Sequence, residues 1–139
     1  MTITTLDLKL QKALEPYASE PLERITTLKK AQEKGIKTRV FLGPLIPEFT
    51  DTPANLETIF RALKGLELEQ IYVDRLNLRW GVLSSLKRGL SREDYGNFIL
   101  MLYKCSNPTK YAQYYHQLKD KTLECAYRFN LSDKVRFCF

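Results

Sequence analysis

Cysteine and histidine are scarce in this chain of 139 residues, which contains three cysteines and one histidine. The thiols of Cys105, Cys125 and Cys138 are 20 and 13 positions apart, and this wide, odd-numbered spacing fits neither a disulfide framework nor a zinc motif. His116 has no second histidine beside it, which argues against a pair of metal ligands. We therefore expect three reduced thiols and no metal site.

Long apolar runs are missing as well. No segment approaches the roughly 20 apolar residues of a membrane-spanning helix. The first 25 residues carry Asp7, Glu15, Glu20 and Glu23 and lack the apolar core of a secretion signal. We therefore expect no contact with a membrane and a cytoplasmic location.

Positive charge and aromatic residues are concentrated in the C-terminal part. The formal net charge is +6, and residues 84–139 hold 10 Lys or Arg against 5 Asp or Glu, together with 10 of the 16 aromatic residues. Such mixing suits contact with nucleic-acid phosphates and stacking on bases, so DNA is one candidate partner. It also suits helices that bury their rings and leave Lys and Arg in water, and the helical spacing of Tyr111, Tyr114, Tyr115 and Leu118 favours this second interpretation.

Residues 1–80 alternate short strand-like runs with helical patterns, which is typical of strand–helix–strand units around a parallel sheet. The patterns predict strands near residues 2–5, 36–42 and 70–74. They predict helices after Asp7, after Pro21 and after Pro53, and the later two should end near Gly35 and Gly65. Residues 43–47 contain two prolines and a glycine, so a loop is predicted there.

The pattern changes after residue 81. Ser91 and Asp94 read as a capping pair for a helix through about Tyr103, and a second helix is predicted over residues 109–128. The last residues, 133–139, fit either a short edge strand or a tail. The predicted fold is therefore an α/β partial (β/α) barrel with about three parallel strands over residues 1–80, followed by a basic, aromatic-rich helical extension over residues 81–139. Trp80 is expected to pack the extension against the sheet.

Polar residues cluster where the predicted strands end, which is where parallel α/β folds bind ligands. The three clusters are Thr2, Thr4 and Thr5; residues 43–47; and Asp74, Arg75, Asn77 and Arg79. Position alone leaves two interpretations open for each residue. It could bind a ligand, or it could cap a helix or form hydrogen bonds to the polar groups of a loop.

Seven segments together resemble the later part of a radical S-adenosylmethionine (SAM) barrel of the spore-photoproduct-lyase kind. They are residues 2–7, the Leu-Glu-Pro turn at 14–16, Arg24 with Leu28, Gly35-Ile36, the Gly- and Pro-containing stretch 41–47, Thr50-Asp51, and the stretch 72–79 with its Leu-Asn-Leu-Arg. The resemblance covers roughly residues 2–80. It implies the fourth to sixth strands of a six-stranded partial barrel.

The resemblance also implies a chemistry and a set of site residues. In this family a [4Fe–4S] cluster held by Cys-x3-Cys-x2-Cys cleaves SAM, and the resulting radical abstracts hydrogen from the substrate. By position, Thr2, Thr4, Gly43, Pro44 and Asn77 correspond to SAM-binding residues. Glu15, Arg24, Asp74, Arg75 and Arg79 correspond to the substrate-binding side, although Glu15 and Arg24 also fit a surface ion pair.

The sequence departs from the family in one respect, because it contains no Cys-x3-Cys-x2-Cys motif. Three thiolates must converge to hold the cluster, so we expect no catalysis and no tight binding of SAM or of a cluster by this chain alone. The expected partner is an N-terminal, cluster-bearing half, or a second copy joined at an open sheet edge. One hypothesis is a fragment, a split gene product or a mis-called start. The alternatives are a non-catalytic interaction module and a basic nucleic-acid-binding domain.

Overall fold

A parallel β-sheet of four strands forms the centre of the protein in a computed structural model that describes residues 1–79, 81–90 and 95–139. The strands are β1 (Thr2–Ile3), β2 (Thr38–Leu45), β3 (Leu68–Arg75) and β4 (Val135–Phe137). Their spatial order is β1-β2-β3-β4, so each strand lies beside the strand that follows it in the chain. The predicted α/β class with parallel strands is confirmed, with one strand more than the three predicted.

Six α-helices connect these strands in the described ranges. They are α1 (Leu8–Leu14), α2 (Pro21–Glu33), α3 (Pro53–Leu63), α4 (Val82–Gly89), α5 (Tyr95–Lys104) and α6 (Pro108–Arg128), and a short 3-10 turn (Ser132–Lys134) leads into β4. None of these helices has the length and apolarity that a membrane crossing needs.

Local sequence accounts for several helix ends. The Asp7 side chain accepts a hydrogen bond from the backbone N–H of Leu10, and Thr52 and Asn107 cap α3 and α6 in the same way. Gly35, just beyond the end of α2, has a φ of +72°, a conformation that costs glycine little. The predicted ends of α2 and α3 are thus confirmed to within two residues.

Helices α2, α3 and α6 cover one face of the sheet and build the main core. Strand residues that alternate toward this face pack against the helices, and each large apolar side chain that is fully buried contributes about 1.5–3 kcal/mol. The completely buried members include Val40, Leu42, Ile71, Val73, Leu56, Phe60, Leu63 and Leu118. Because α6 and β4 supply part of this core, the C-terminal region is packed into the same body as the sheet.

The opposite face of the sheet carries different residues. We call it the open face and define it by Thr2, Arg39, Phe41, Gln70, Tyr72 and Arg136. Thr2, Phe41, Tyr72 and Arg136 form one row across all four strands. In the described part of the chain, none of the six belongs to a buried apolar cluster, and each is half-buried or exposed. Parallel sheets are usually covered on both faces, so this face is unusual.

A second apolar cluster lies beyond the C-terminal ends of β2 and β3. It joins α1, α4 and α5 through Ile46, Phe49, Leu76, Leu86, Phe98 and Met101. Helices α1 and α4 approach closely at Gly89, where an added Cβ would lie 2.1 Å from the carbonyl oxygen of Ala13. The strand ends are therefore bordered by helices rather than by long loops.

The prediction of a loop from residue 43 is wrong, because β2 continues through Gly43 and Pro44 to Leu45. Leu42 pairs with Val73 and Leu45 with Arg75, so β2 has one residue more than β3 over this stretch and forms a β-bulge. A proline in a bulge interrupts the ladder less than one in a regular strand does.

The C-terminal region also departs in detail from the predicted elements. Helix α4 was not predicted, and residues 133–139, for which a strand or a tail was open, contribute β4. The predicted helix over residues 109–128 is confirmed as α6. The proposed capping pair of Ser91 and Asp94 and the proposed packing of Trp80 lie outside the residues that the structure describes.

Candidate functional site

A hydrogen-bonded network joins five of the predicted site residues at the ends of β1 and β2. The hydroxyl of Thr4 donates to Oε1 of Glu15 at 2.6 Å and also lies 3.1 Å from the carbonyl oxygen of Gly43. Arg24 Nη2 donates to Oε2 of Glu15 at 2.7 Å. The remaining bonds of Arg24 go to the carbonyl oxygens of Thr2 and Ser19, at 3.0 and 2.9 Å. Thr2 and Thr4 of the first cluster and Gly43 of the second thus meet Glu15 and Arg24 in one place.

The ion pair of Glu15 and Arg24 is not on the surface, which corrects the surface alternative. The side chain of Arg24 is 7% exposed and that of Glu15 is 25% exposed. Both carboxylate oxygens and the guanidinium are engaged within the protein, and the groups they bind belong to β1, β2 and the segments around α1 and α2. The network therefore fixes the strand ends relative to these helices.

Gly43 and Pro44 differ in their surroundings. Gly43 is buried, and a Cβ at this position would lie 2.8 Å from the carbonyl oxygen of Asp74, so β2 and β3 can approach this closely only with glycine here. Pro44 is exposed and follows a cis peptide bond. The close approach of the two strands accounts for the glycine without a ligand.

The third predicted cluster is divided. The carboxylate of Asp74 accepts a hydrogen bond from the backbone N–H of Arg75, and Asn77 and Arg79 are exposed further along the chain. Neighbouring residues of a strand point to opposite faces, so Arg75 points toward α6 and away from Asp74. These four residues do not converge on one point.

Arg75 instead enters a group of aromatic rings. Its guanidinium carbon lies 4.1 Å from the ring centre of Tyr115, 5.3 Å from that of Tyr111 and 5.7 Å from that of Phe139. The hydroxyl of Tyr111 donates to the carbonyl oxygen of Leu76. We call Arg75, Tyr111, Tyr115 and Phe139 the arginine cage. The sequence offered one signal for it, the helical spacing of the tyrosines, whereas the participation of Phe139 depends on β4.

Burial governs ionisation around the cage. Loss of contact with water raises the pKa of Tyr111, Tyr115 and Cys105 above their ordinary values. The nearby guanidinium of Arg75 acts in the opposite direction on the two tyrosines, and its effect is smaller than that of burial. The phenols therefore stay protonated at neutral pH and serve as hydrogen-bond donors and ring surfaces.

The three cysteines lie in different surroundings. Cys105 is half-buried near the second cluster, Cys125 is in the main core, and Cys138 is exposed after β4. Burial raises the pKa of all three thiols. Over residues 1–79, 81–90 and 95–139, no group of three His, Cys, Asp or Glu could hold a metal ion. The described residues therefore do not fit a [4Fe–4S] cluster.

Most of the tyrosines of α6 face the protein. Tyr114 is 3% exposed in the main core, and Tyr111 and Tyr115 pack against it. Lys121 pairs with buried Asp51 at 2.8 Å, and Lys104 pairs with Glu48. The packed-core interpretation is confirmed for this stretch, which leaves fewer rings for stacking on bases than the sequence suggested.

Two adjoining clefts lie beside the strand ends. Their volumes are about 320 and 370 Å³, near the lower limit for small-molecule pockets, and both are lined by Asp7, Leu10 and Phe49. Thr5 and Asn55 line the larger cleft, but the hydroxyl of Thr5 already donates to the Asn55 side chain at 2.7 Å. The clefts offer space near the site with few unengaged polar groups.

The chain is similar over part of its length to two curated proteins. It is 32% identical over 82 residues to the uncharacterized protein ORF301 of Acidianus two-tailed virus, which covers 57% of this chain and 27% of that protein. It is 37% identical over 51 residues to the uncharacterized protein MJ0683 of Methanocaldococcus jannaschii, which covers 37% of this chain and 20% of that protein. The chain thus spans roughly a quarter and a fifth of these relatives. No protein-family model matches it, and no solved structure gives a significant match.

Proposed function

We propose that the chain is the C-terminal portion of a radical SAM barrel, inactive alone, which supplies part of the wall of the ligand chamber. The open face is the observation that carries this proposal. A sheet with consecutive parallel strands and helices on one side only has the organisation of a barrel segment, whose uncovered side lines the interior. The resemblance over residues 2–80 supports the same assignment.

The chemistry of the open face suits a chamber wall. Phe41 and Tyr72 are paired neighbours at its centre, and Arg39 and Arg136 lie toward its sides. Ligand sites combine apolar or aromatic surface with a few polar groups, which is the composition found here. A covering segment of the barrel would remove Phe41 and Tyr72 from water.

SAM fits this chain only in part. The side chains of Thr2 and Asn77 are exposed and form no hydrogen bond to other described residues, so they are the groups able to contact its adenosyl portion. The hydroxyl of Thr4 is already engaged by Glu15. In a complete domain, cluster-bound SAM is the source of the radical. The described residues bring no three cluster ligands together, so their contribution is limited to contact with SAM.

The proposal is tested by reconstitution with iron and sulfide under anaerobic conditions. The chain alone should acquire no stable absorbance near 400 nm. The chain should bind a separately expressed half-barrel segment that carries Cys-x3-Cys-x2-Cys. Tyr72→Glu should weaken this association at least tenfold, because it places a charge at the centre of the covered face.

The matched control is Tyr127→Glu, since Tyr127 is 75% exposed on α6. It should leave the association unchanged. A stable chromophore with stoichiometric iron on the chain alone, or equal effects of the two substitutions, would contradict the proposal.

Nucleic-acid binding is a second candidate function, and one contact favours it. Lys110 Nζ lies 3.5 Å from the ring centre of Tyr103, which is 60% exposed, so a cation and a ring face water together. Binding to short single-stranded DNA should then be measurable at about 50 mM salt and weaken as salt rises. Undetectable binding at that salt concentration would exclude this function.

A further inference from the structure

Arg75 is unusual among the arginines of the described chain. Only Arg24 and Arg75 are not exposed there. Arg24 donates to one carboxylate and two carbonyl oxygens. Arg75 forms no ion pair with any described residue, and its Nε is buried without an acceptor. Of the two sheltered guanidinium groups in the described ranges, one is thus satisfied and the other has no anionic partner there.

The arginine cage holds this guanidinium in place. Three ring centres lie within 6 Å of it, and the faces of aromatic rings attract cations. Rings stabilise the charge but do not accept hydrogen bonds as a carboxylate or phosphate does. The cage therefore restricts the side chain. Its Nε is buried without an acceptor, so the Nη groups are the donors that a ligand would reach.

A second cation lies near the Phe139 ring of the cage. Lys119 Nζ is 5.2 Å from the ring centre of Phe139 and 5.6 Å from that of Phe137, and it forms no ion pair with a described residue. The two charged side chains recorded at the ring of Phe139, those of Arg75 and Lys119, are therefore both cations.

We propose that the arginine cage is a binding site for the oxyanion, phosphate or carboxylate, of a small ligand. The guanidinium of Arg75 donates to the oxygens, and Lys119 adds a second positive charge. The planar, rigid donor set of arginine suits the geometry of both oxyanions, and restriction by the rings lowers the entropy lost on binding. The site lies at the C-terminal end of β3, and it stands independently of the radical SAM assignment.

Titration with inorganic phosphate tests the proposal. The ring proton signals of Tyr111, Tyr115 and Phe139 are followed by NMR at constant ionic strength, with sodium acetate and sodium chloride as parallel titrants. Saturable shifts are expected, with a dissociation constant of about 1–10 mM for the better oxyanion. Chloride should give no saturation. Linear shifts for every titrant, or saturation by chloride with the same constant, would overturn the proposal.

Substitutions locate the site. Arg75→Gln should abolish saturation, Arg75→Lys should weaken binding about tenfold, and Lys119→Gln should weaken it about threefold. The control is Arg61→Gln, because Arg61 also lies near one ring, 5.9 Å from the centre of Phe129, but is exposed and paired with Glu57. Binding by this variant should be unchanged.

The folding of each variant is checked by circular dichroism. If Arg75→Gln does not fold, Arg75→Lys and Lys119→Gln still decide the outcome. An unchanged dissociation constant in both of them would overturn the proposal.

Discussion

Removal of the carboxylate in Glu15→Ala tests whether the strand-end network stabilises the fold. In the native protein this carboxylate is the only one bound to Arg24, among the residues that the structure describes. The substitution would leave Arg24, whose side chain is 7% exposed, with the carbonyl oxygens of Thr2 and Ser19. Thr4 would keep its contact with the carbonyl oxygen of Gly43. The perturbation therefore isolates a largely buried charge.

The expected cost follows from burial. Removing one partner of a fully buried ion pair costs about 3–5 kcal/mol, whereas exposed pairs contribute about 0–1 kcal/mol. Glu15 is 25% exposed and Arg24 keeps two acceptors, so we expect a loss of about 2–3 kcal/mol in the free energy of unfolding. Glu15→Gln keeps an acceptor and should cost about half as much. These losses are large beside a typical stability of about 5–15 kcal/mol.

Urea denaturation followed by circular dichroism measures this loss. For a small protein with a slope of about 2 kcal/mol per molar, the midpoint should fall by roughly 1–1.5 M. The control is Glu57→Ala in the exposed pair with Arg61, whose side chains are 41% and 68% exposed, and its midpoint should hardly move. If Glu15→Ala lies within about 0.5 kcal/mol of Glu57→Ala, the network does not stabilise the fold as described.

Two further predictions concern packing and ionisation. In thermal unfolding, Gly89→Ala should destabilise the protein by about 1–3 kcal/mol, because its Cβ would overlap a backbone carbonyl of α1. The control is Gly96→Ala, which has no atom within 4 Å of its Cβ and should be neutral or stabilising. Burial raises the pKa of Tyr114 and Tyr115, so their phenols stay neutral in the folded state. The free energy of unfolding should therefore be unchanged below about pH 10 and fall above it. Spectrophotometric titration should show these two tyrosines ionising together with unfolding. Ionisation of all eight tyrosines near pH 10 without unfolding would contradict this account.

Local sequence predicted much of the α/β layer correctly. Proline at the start of α2 and α3 and glycine after their ends are signals that act over a few residues, and the structure follows them. The course of β2 through Gly43 and Pro44 could not be read in this way. A bulge depends on the partner strand, and β3 lies more than 20 positions away.

The candidate site was predictable where it depends on the strand ends, and not where it depends on distant elements. Strand ends bring Thr4, Gly43 and the turn at Glu15 together, because parallel strands share one C-terminal edge. Asp74 and Arg75 were grouped by sequence proximity, yet strand alternation separates them. The aromatic rings around Arg75 belong to α6 and to Phe139, which follows β4. No local pattern predicts where these elements lie.

The consecutive strand order has a consequence for how such a sheet can be divided. Each strand is bonded only to the strand before it and the strand after it, so a cut between two strands interrupts a single ladder. An interleaved order would be broken in several places by the same cut. A sheet of this design can therefore be divided at any one of its three ladders without breaking the other two.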